Sequence, residues 1–140
     1  MRILALDLGD KRIGVAVSQL GGALALPDGV ITRRNWAQVI AEIRARLDAV
    51  QADRIVVGLP LRMDGTEGPA AVAARKFVQR LQETVAVPVD VQDERLSTAE
   101  AERSLIAADM RRRRRRAVRD AVAAAIMLQT YLDRRRVMGQ

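Results

Sequence analysis

Three carboxylates stand where the apolar pattern of the chain breaks. Asp7 follows the run Ile3-Leu4-Ala5-Leu6, Glu94 follows a stretch alternating around Val87, Val89 and Val91, and Asp120 heads the apolar segment Ala121 to Leu128. Acids at two strand ends and a helix start can meet at the carboxyl edge of a sheet, where open α/β sheets bind ligands. Partly buried acids that converge repel one another and hold their protons more tightly. A divalent cation relieves that repulsion, polarises a phosphoryl oxygen and acidifies bound water. The rest of the inventory agrees. The chain has no histidine and no cysteine, which excludes a Ser-His-Asp triad, a Cys or His nucleophile, a Cys/His zinc site and a disulfide. Carboxylates without softer ligands suit Mg²⁺ or Mn²⁺. Each acid also has a plainer role, as turn residue, loop acid or helix N-terminal charge, and spacing alone leaves their meeting open. Asp93 competes with Glu94 for the ligand position, and Asp10 is a further acid nearby.

The cations are localised. The chain carries 24 Lys and Arg against 17 Asp and Glu, a net charge of +7. Arg111, Arg112, Arg113, Arg114, Arg115 and Arg116 are consecutive, and without them the remainder is almost neutral. One concentrated patch points to a polyanion, although a solvated charge run between helices is the ordinary alternative. Lys11 and Arg12, directly after the first acid, can hold a phosphate or decorate an exposed turn. Gly58-Leu59-Pro60 and Asp64-Gly65-Thr66 form a turn-rich loop that leads into a helix N-terminus, where backbone N–H groups can bind phosphate. Trp36, Phe77 and Tyr131 are the only aromatics and fall in separate predicted helices. A base-stacking platform is therefore absent, so a nucleic-acid partner would be held by backbone and shape.

These residues need elements to position them. At 140 residues with 49% hydrophobic content, one domain over residues 1–140 with a real core is expected. Residues 2–8 and Arg12 to Ser18 predict two strands in a hairpin. Ala23 to Thr32 predicts a third strand, interrupted near Pro27-Asp28-Gly29. Asn35 caps a predicted helix to about Val50 with Val39, Ile40, Ile43 and Leu47 on one face. Arg54 to Leu59 reads as a strand buried on both faces. Pro69 suits a first helical turn, with Ala74, Phe77, Val78 and Leu81 as the buried stripe. Val87 to Gln92 predicts the last strand. Ser97-Thr98-Ala99-Glu100 is a capping box for a helix ending near Asp109. A final helix from about Ala117 to Arg134 is apolar all round over Ala121 to Leu128, which predicts full burial. The order β-β-β-α-β-α-β-α-α describes an α/β fold, a mixed sheet flanked by helices.

Four blocks, in order over nearly the whole chain, resemble the YqgF/RuvX family of Holliday-junction-resolvase-like nucleases implicated in pre-16S rRNA maturation. They are Asp7-Leu8-Gly9-Asp10-Lys11-Arg12-Ile13-Gly14-Val15-Ala16, Ile55-Val56-Val57-Gly58-Leu59-Pro60 with Asp64-Gly65-Thr66-Glu67, Asp93-Glu94-Arg95-Leu96-Ser97-Thr98, and Asp120 with Ala123 to Leu132. The resemblance implies an RNase H-like fold with a five-stranded mixed sheet. It makes Asp7, Glu94 and Asp120 the metal-binding catalytic acids. Structured RNA such as pre-rRNA, branched DNA, or both would be the substrate. A Lys/Arg-rich stretch of the family matches the arginine run, and with Lys11, Arg12 and Arg95 it forms the expected nucleic-acid contacts. Gln19, where an acid is expected after Ser18, and Ala121, where a polar residue is common, depart from the pattern without removing a proposed ligand.

A non-catalytic nucleic-acid-binding factor on the same fold is disfavoured by three acids beside a phosphate path. A sugar-kinase or actin-like ATPase shares the Asp-x-Gly hairpin but needs a second lobe. A junction resolvase should be a two-fold homodimer, whereas an rRNA nuclease can act as a monomer. The absence of cysteine fits a reducing compartment. No apolar run approaches the roughly 18 residues that span a membrane, and Asp7 lies too early for a signal-peptide core. A cytoplasmic protein without membrane contact is expected.

Overall fold

The computed structural model describes residues 1–19, 21–96 and 116–137. The helix predicted after Ser97 and the arginines from Arg111 to Arg115 lie outside the described residues. β1 (Ile3–Leu8), β2 (Arg12–Ser18), β3 (Ala25–Thr32), β4 (Arg54–Leu59) and β5 (Val89–Asp93) form one sheet in the order β3-β2-β1-β4-β5. The β1–β2 and β2–β3 pairs are antiparallel, and β1–β4 and β4–β5 are parallel. The carboxyl ends of β1, β4 and β5 therefore share an edge. The irregularity near Pro27-Asp28-Gly29 is real: the β2–β3 register shifts between Gly14 and Ala16. Gly29 there takes a φ of 87°, which a side chain would disfavour.

Period-two alternation sorts the sheet into two faces. Leu4, Leu6, Ile13, Val15, Ile55 and Val57 turn toward α1 (Trp36–Val50) and α2 (Pro69–Gln82) and pack with Ile43, Phe77 and Leu81. Ile3, Ala5, Ala16 and Val56 turn the other way, onto α3 (Arg116–Val137), against Ala124, Ala125, Leu128 and Tyr131. The Asn35 side chain caps α1 by accepting from the Gln38 N–H at 2.8 Å, and Pro69 opens α2.

Two expectations for the last helix change. α3 begins at Arg116, so Asp120 is its fifth residue and not a charge at its N-terminus. The stretch Ala121 to Leu128 is not buried all round either: Ala123 is exposed and Val122 and Ile126 are half-buried. The helix lies on the outside of the sheet, so only one broad face meets the core, and alanine tolerates the solvent side.

Candidate active site

Asp7 belongs to the alternating set Ile3, Ala5, Asp7, so it lies on the α3 face of the sheet. Asp90 and Gln92 take that same face of β5, and Glu94 continues it in the single 3₁₀ turn Glu94–Leu96. Two glycines make the approach possible. Asp7 is paired with Gly14 of β2, and a Cβ on Gly14 would lie 2.6 Å from the Asp120 carbonyl carbon. Gly58 of β4 occupies the other flank, where a Cβ would lie 3.0 Å from Glu94 Cγ. The first glycine admits the backbone of α3 and the second admits the Glu94 side chain. Asp7 thus sits between two other acids at one sheet edge.

The two flanks differ electrostatically. Burial, then the hydrogen bond and charge of Asp7, then the charge of Asp93, push the Glu94 carboxyl up to about 9. Glu94 is thus pushed toward its protonated form, hydrogen-bonded with Asp7. Asp7 and Glu94 line a cleft of about 300 Å³ with Gln92, Asp93, Ala123, Ile126, Met127 and Thr130. On the other side, Asp7 and Asp120 line a second cleft of about 300 Å³ with Gly9, Asp10, Lys11 and Arg12. Here the Arg12 Nε donates to Asp120 Oδ2 at 2.9 Å. Asp7 is the wall common to both clefts. Among the described residues, no three acids stand close enough to hold one metal ion together. Asp7 and Glu94 meet, while Asp120 is engaged by Arg12.

The remaining candidates fall around this edge. Arg95 donates to both oxygens of Asp93, at 3.1 and 2.7 Å. Its guanidinium, foremost by that hydrogen bond, holds Asp93 below the usual carboxylate range. Asp93 is therefore committed to Arg95, and Glu94 is the acid that touches Asp7. Arg95 also reaches the Met63 carbonyl at 3.4 Å, fastening the loop after β4. Lys11 and Asp10 are exposed in the β1–β2 turn. Arg12, expected as a phosphate contact, is instead occupied with Asp120.

Sequence reasoning passed over Arg33 and Gln92, and quoted Gly14 and Gly58 without the close approaches they permit. Arg33 donates from its side chain to the Gly9 carbonyl at 2.7 Å, and its backbone N–H donates to the Lys11 carbonyl at 2.8 Å. It pins the turn that follows Asp7. The signal for Gly14 and Gly58 was present, since a glycine inside a strand marks a close approach. Gln92 is the one buried residue of β5, 6% exposed.

The donor set suits a hard cation: Asp7, Glu94 and Asp120 offer carboxylate oxygens along the two clefts, and burial together with the neighbouring Asp7 raises Glu94, a cost that a bound cation would relieve.

A family model described as "RuvX: Holliday junction resolvase" matches residues 1–134. A protein of Halothermothrix orenii, named "Putative pre-16S rRNA nuclease", is 47% identical over 133 residues, covering 95% of each chain. One of the same name from Geobacillus thermodenitrificans is 48% identical over 138 residues, 97% of this chain and 100% of that one. Among solved structures, T. thermophilus RuvC in complex with Holliday junction substrate superposes with a TM-score of 0.57 at 17% identity, covering 100% of this chain and 97% of that one. The fowlpox virus resolvase with Holliday junction DNA gives 0.58 at 12%, covering 96% and 98%. These likenesses confirm the RNase H-like, resolvase-type fold. The four sequence blocks, the mixed sheet and 47–48% identity over nearly the full length agree, and the chain belongs to the RuvX family.

Proposed function

We propose that this chain is a divalent-metal-dependent nuclease that hydrolyses phosphodiester bonds in structured RNA, with the 5′ end of pre-16S rRNA as substrate and Mg²⁺ or Mn²⁺ as cofactor. The observation that carries the reading is the Glu94 carboxyl pressed against Asp7 at the sheet edge, open to a cleft on either side. Asp7 and Glu94 are the acids placed together to hold the cation, and Asp120, now engaged by Arg12, is the third that would have to join them. When bound, such a cation supplies Lewis acidity at a phosphoryl oxygen and makes water a better nucleophile near neutral pH. Asp7, shared by both clefts, orients the site. To hold a cation, Glu94 would have to be ionised, its proton going to solvent. Lys11, Arg95 and the arginine run hold the substrate backbone.

A mere binder of polyanions gains nothing from paired acids beside its phosphate path, so the pair favours catalysis. A second substrate, branched DNA, is favoured by the family description. The fold likeness to resolvases does not decide between the two. The deciding experiment offers a pre-16S rRNA fragment and a four-way DNA junction side by side, with Mg²⁺, Mn²⁺ or EDTA. Cleavage of the RNA with metal, and none with EDTA, supports the proposal. Cleavage of the junction alone would make the protein a resolvase, for which a homodimer in solution is the matching state. No cleavage of either would favour the binding factor. No helix among the described residues is long and apolar enough to cross a membrane, and a site in the cytoplasm matches the proposed substrate.

A further inference from the structure

Arg12 and Asp120 are 108 residues apart and meet through one 2.9 Å bond, with about 30% of each side chain exposed. The pair forms a wall of the cleft that it shares with Asp7. Asp7 has Glu94 against it on the other flank. Asp120 is a second carboxylate in the cleft of Asp7, and Arg12 supplies the positive charge beside it. The same guanidinium withholds Asp120 from any cation seated at Asp7.

We propose that Arg12 is a positioning residue that acts as the internal counter-ion of Asp120. It holds the third acid beside the site while no cation is present, and releases it by exchange when one binds. The inference rests on the proposed metal-dependent nuclease reading. The geometry favours exchange over a permanent strut for two reasons. The contact is a single hydrogen bond from Nε, not a two-pronged clamp, and a third of the pair is already wet. An ion pair one-third exposed is weak enough to open. The freed guanidinium stays at the cleft wall beside Lys11, where a substrate phosphate can accept from it.

The test is Mn²⁺ binding to the full chain, read by the electron paramagnetic resonance of free Mn²⁺, with no substrate present. The wild type is compared with Arg12→Gln, Arg12→Lys, Asp120→Asn, the double variant Arg12→Gln/Asp120→Asn, and Asp7→Asn. Removing a competitor should tighten Mn²⁺ binding by roughly two- to fivefold in Arg12→Gln, the range set by an exposed pair. Arg12→Lys, which keeps the charge but not the planar donor, should fall between, and it decides the matter should Arg12→Gln fail to fold. In the Asp120→Asn background the gain should vanish. Weaker Mn²⁺ binding in Arg12→Gln would mean that Arg12 orients Asp120 for the metal, and would overturn the proposal. A gain that survives in the Asp120→Asn background would reduce Arg12 to a distant repulsive charge, and would overturn it too. Absent Mn²⁺ binding in the wild type, or binding indifferent to Asp7→Asn, would instead remove the metal-site reading beneath it.

Discussion

Glu94 shows how far one side chain is set by its neighbours. Its carboxyl is pushed up to about 9, first by burial and then by Asp7. In the unfolded chain the same group ionises near its ordinary value of 4.5. Between those two values the folded protein binds the extra proton, so the folded state loses stability as pH rises. The contribution is fully present below 4.5 and gone above about 9. Urea unfolding of the metal-free protein at several pH values should show that fall. In Glu94→Gln, which carries no proton to lose, it should be absent. Parallel curves for the two proteins would mean that Glu94 is already ionised. The same pair makes Asp7 the sharpest catalytic test. Asp7→Asn keeps the shape and loses the charge that a hard cation needs. Cleavage should be abolished while the melting temperature and RNA binding remain close to wild type. Undiminished cleavage by the purified variant would remove Asp7 from the site.

At the level of elements, two glycines decide how near the acids come. Gly58→Ala places a methyl against the Glu94 side chain. That side chain can swing away, so stability should change little, but a carboxylate displaced by about 1 Å costs on the order of 100-fold in rate. Steady-state kinetics on the RNA substrate checks this, and a normal rate would mean that Glu94 takes no part. Gly14→Ala is different, because its methyl meets the α3 backbone at Asp120. A helix cannot step aside as a side chain can, so about 1–3 kcal/mol of stability should be lost, measurable by urea unfolding. The sheet and its two neighbouring helices were legible because their signals are local. Alternating Val87, Val89 and Val91, the Asn35 cap and Pro69 each act within a few residues. The edge shared by Asp7 and Glu94 also followed from strand ends. The Arg12–Asp120 pair was not legible, since nothing local joins residues 108 apart. Nor was the exposure of Ala123, because an apolar helix reads the same whether one face or both are covered. Gly14 and Gly58 were readable as close approaches, but what approached them was not.

At the scale of the whole molecule, several cations follow the strand ends that carry the acids. Lys11 and Arg33 flank Asp7 beyond β1 and β3, and Arg95 closes the opposite flank after β5. Arg116 opens α3 four residues before Asp120, about 6 Å of helix rise, so the end of the arginine run enters the same region along the chain. A cationic rim around an anionic centre is stable when a polyanion spans the two, with its phosphates on the rim and one of them at the acids. At the far edge of the sheet, Arg44 serves a different purpose, donating to the Thr84 carbonyl at 2.9 Å. Counter-ion release separates these roles. Removing one cation that neutralises a phosphate lowers the slope of log K against log salt by about 0.7 to 0.9. Arg112→Ala, Arg114→Ala and Arg116→Ala combined should therefore weaken binding of structured RNA and of branched DNA alike, and flatten the salt dependence by up to about 2 to 3. Arg44→Ala should leave the slope where it was. Binding titrations from low to physiological salt, with both ligands and in EDTA to suppress cleavage, make the comparison. An unchanged slope in the triple variant would identify the run as a solvated connector, leaving Lys11 and Arg95 to carry the backbone. An equal loss in Arg44→Ala would mean that the polyanion answers to net charge alone, with no path across the acids.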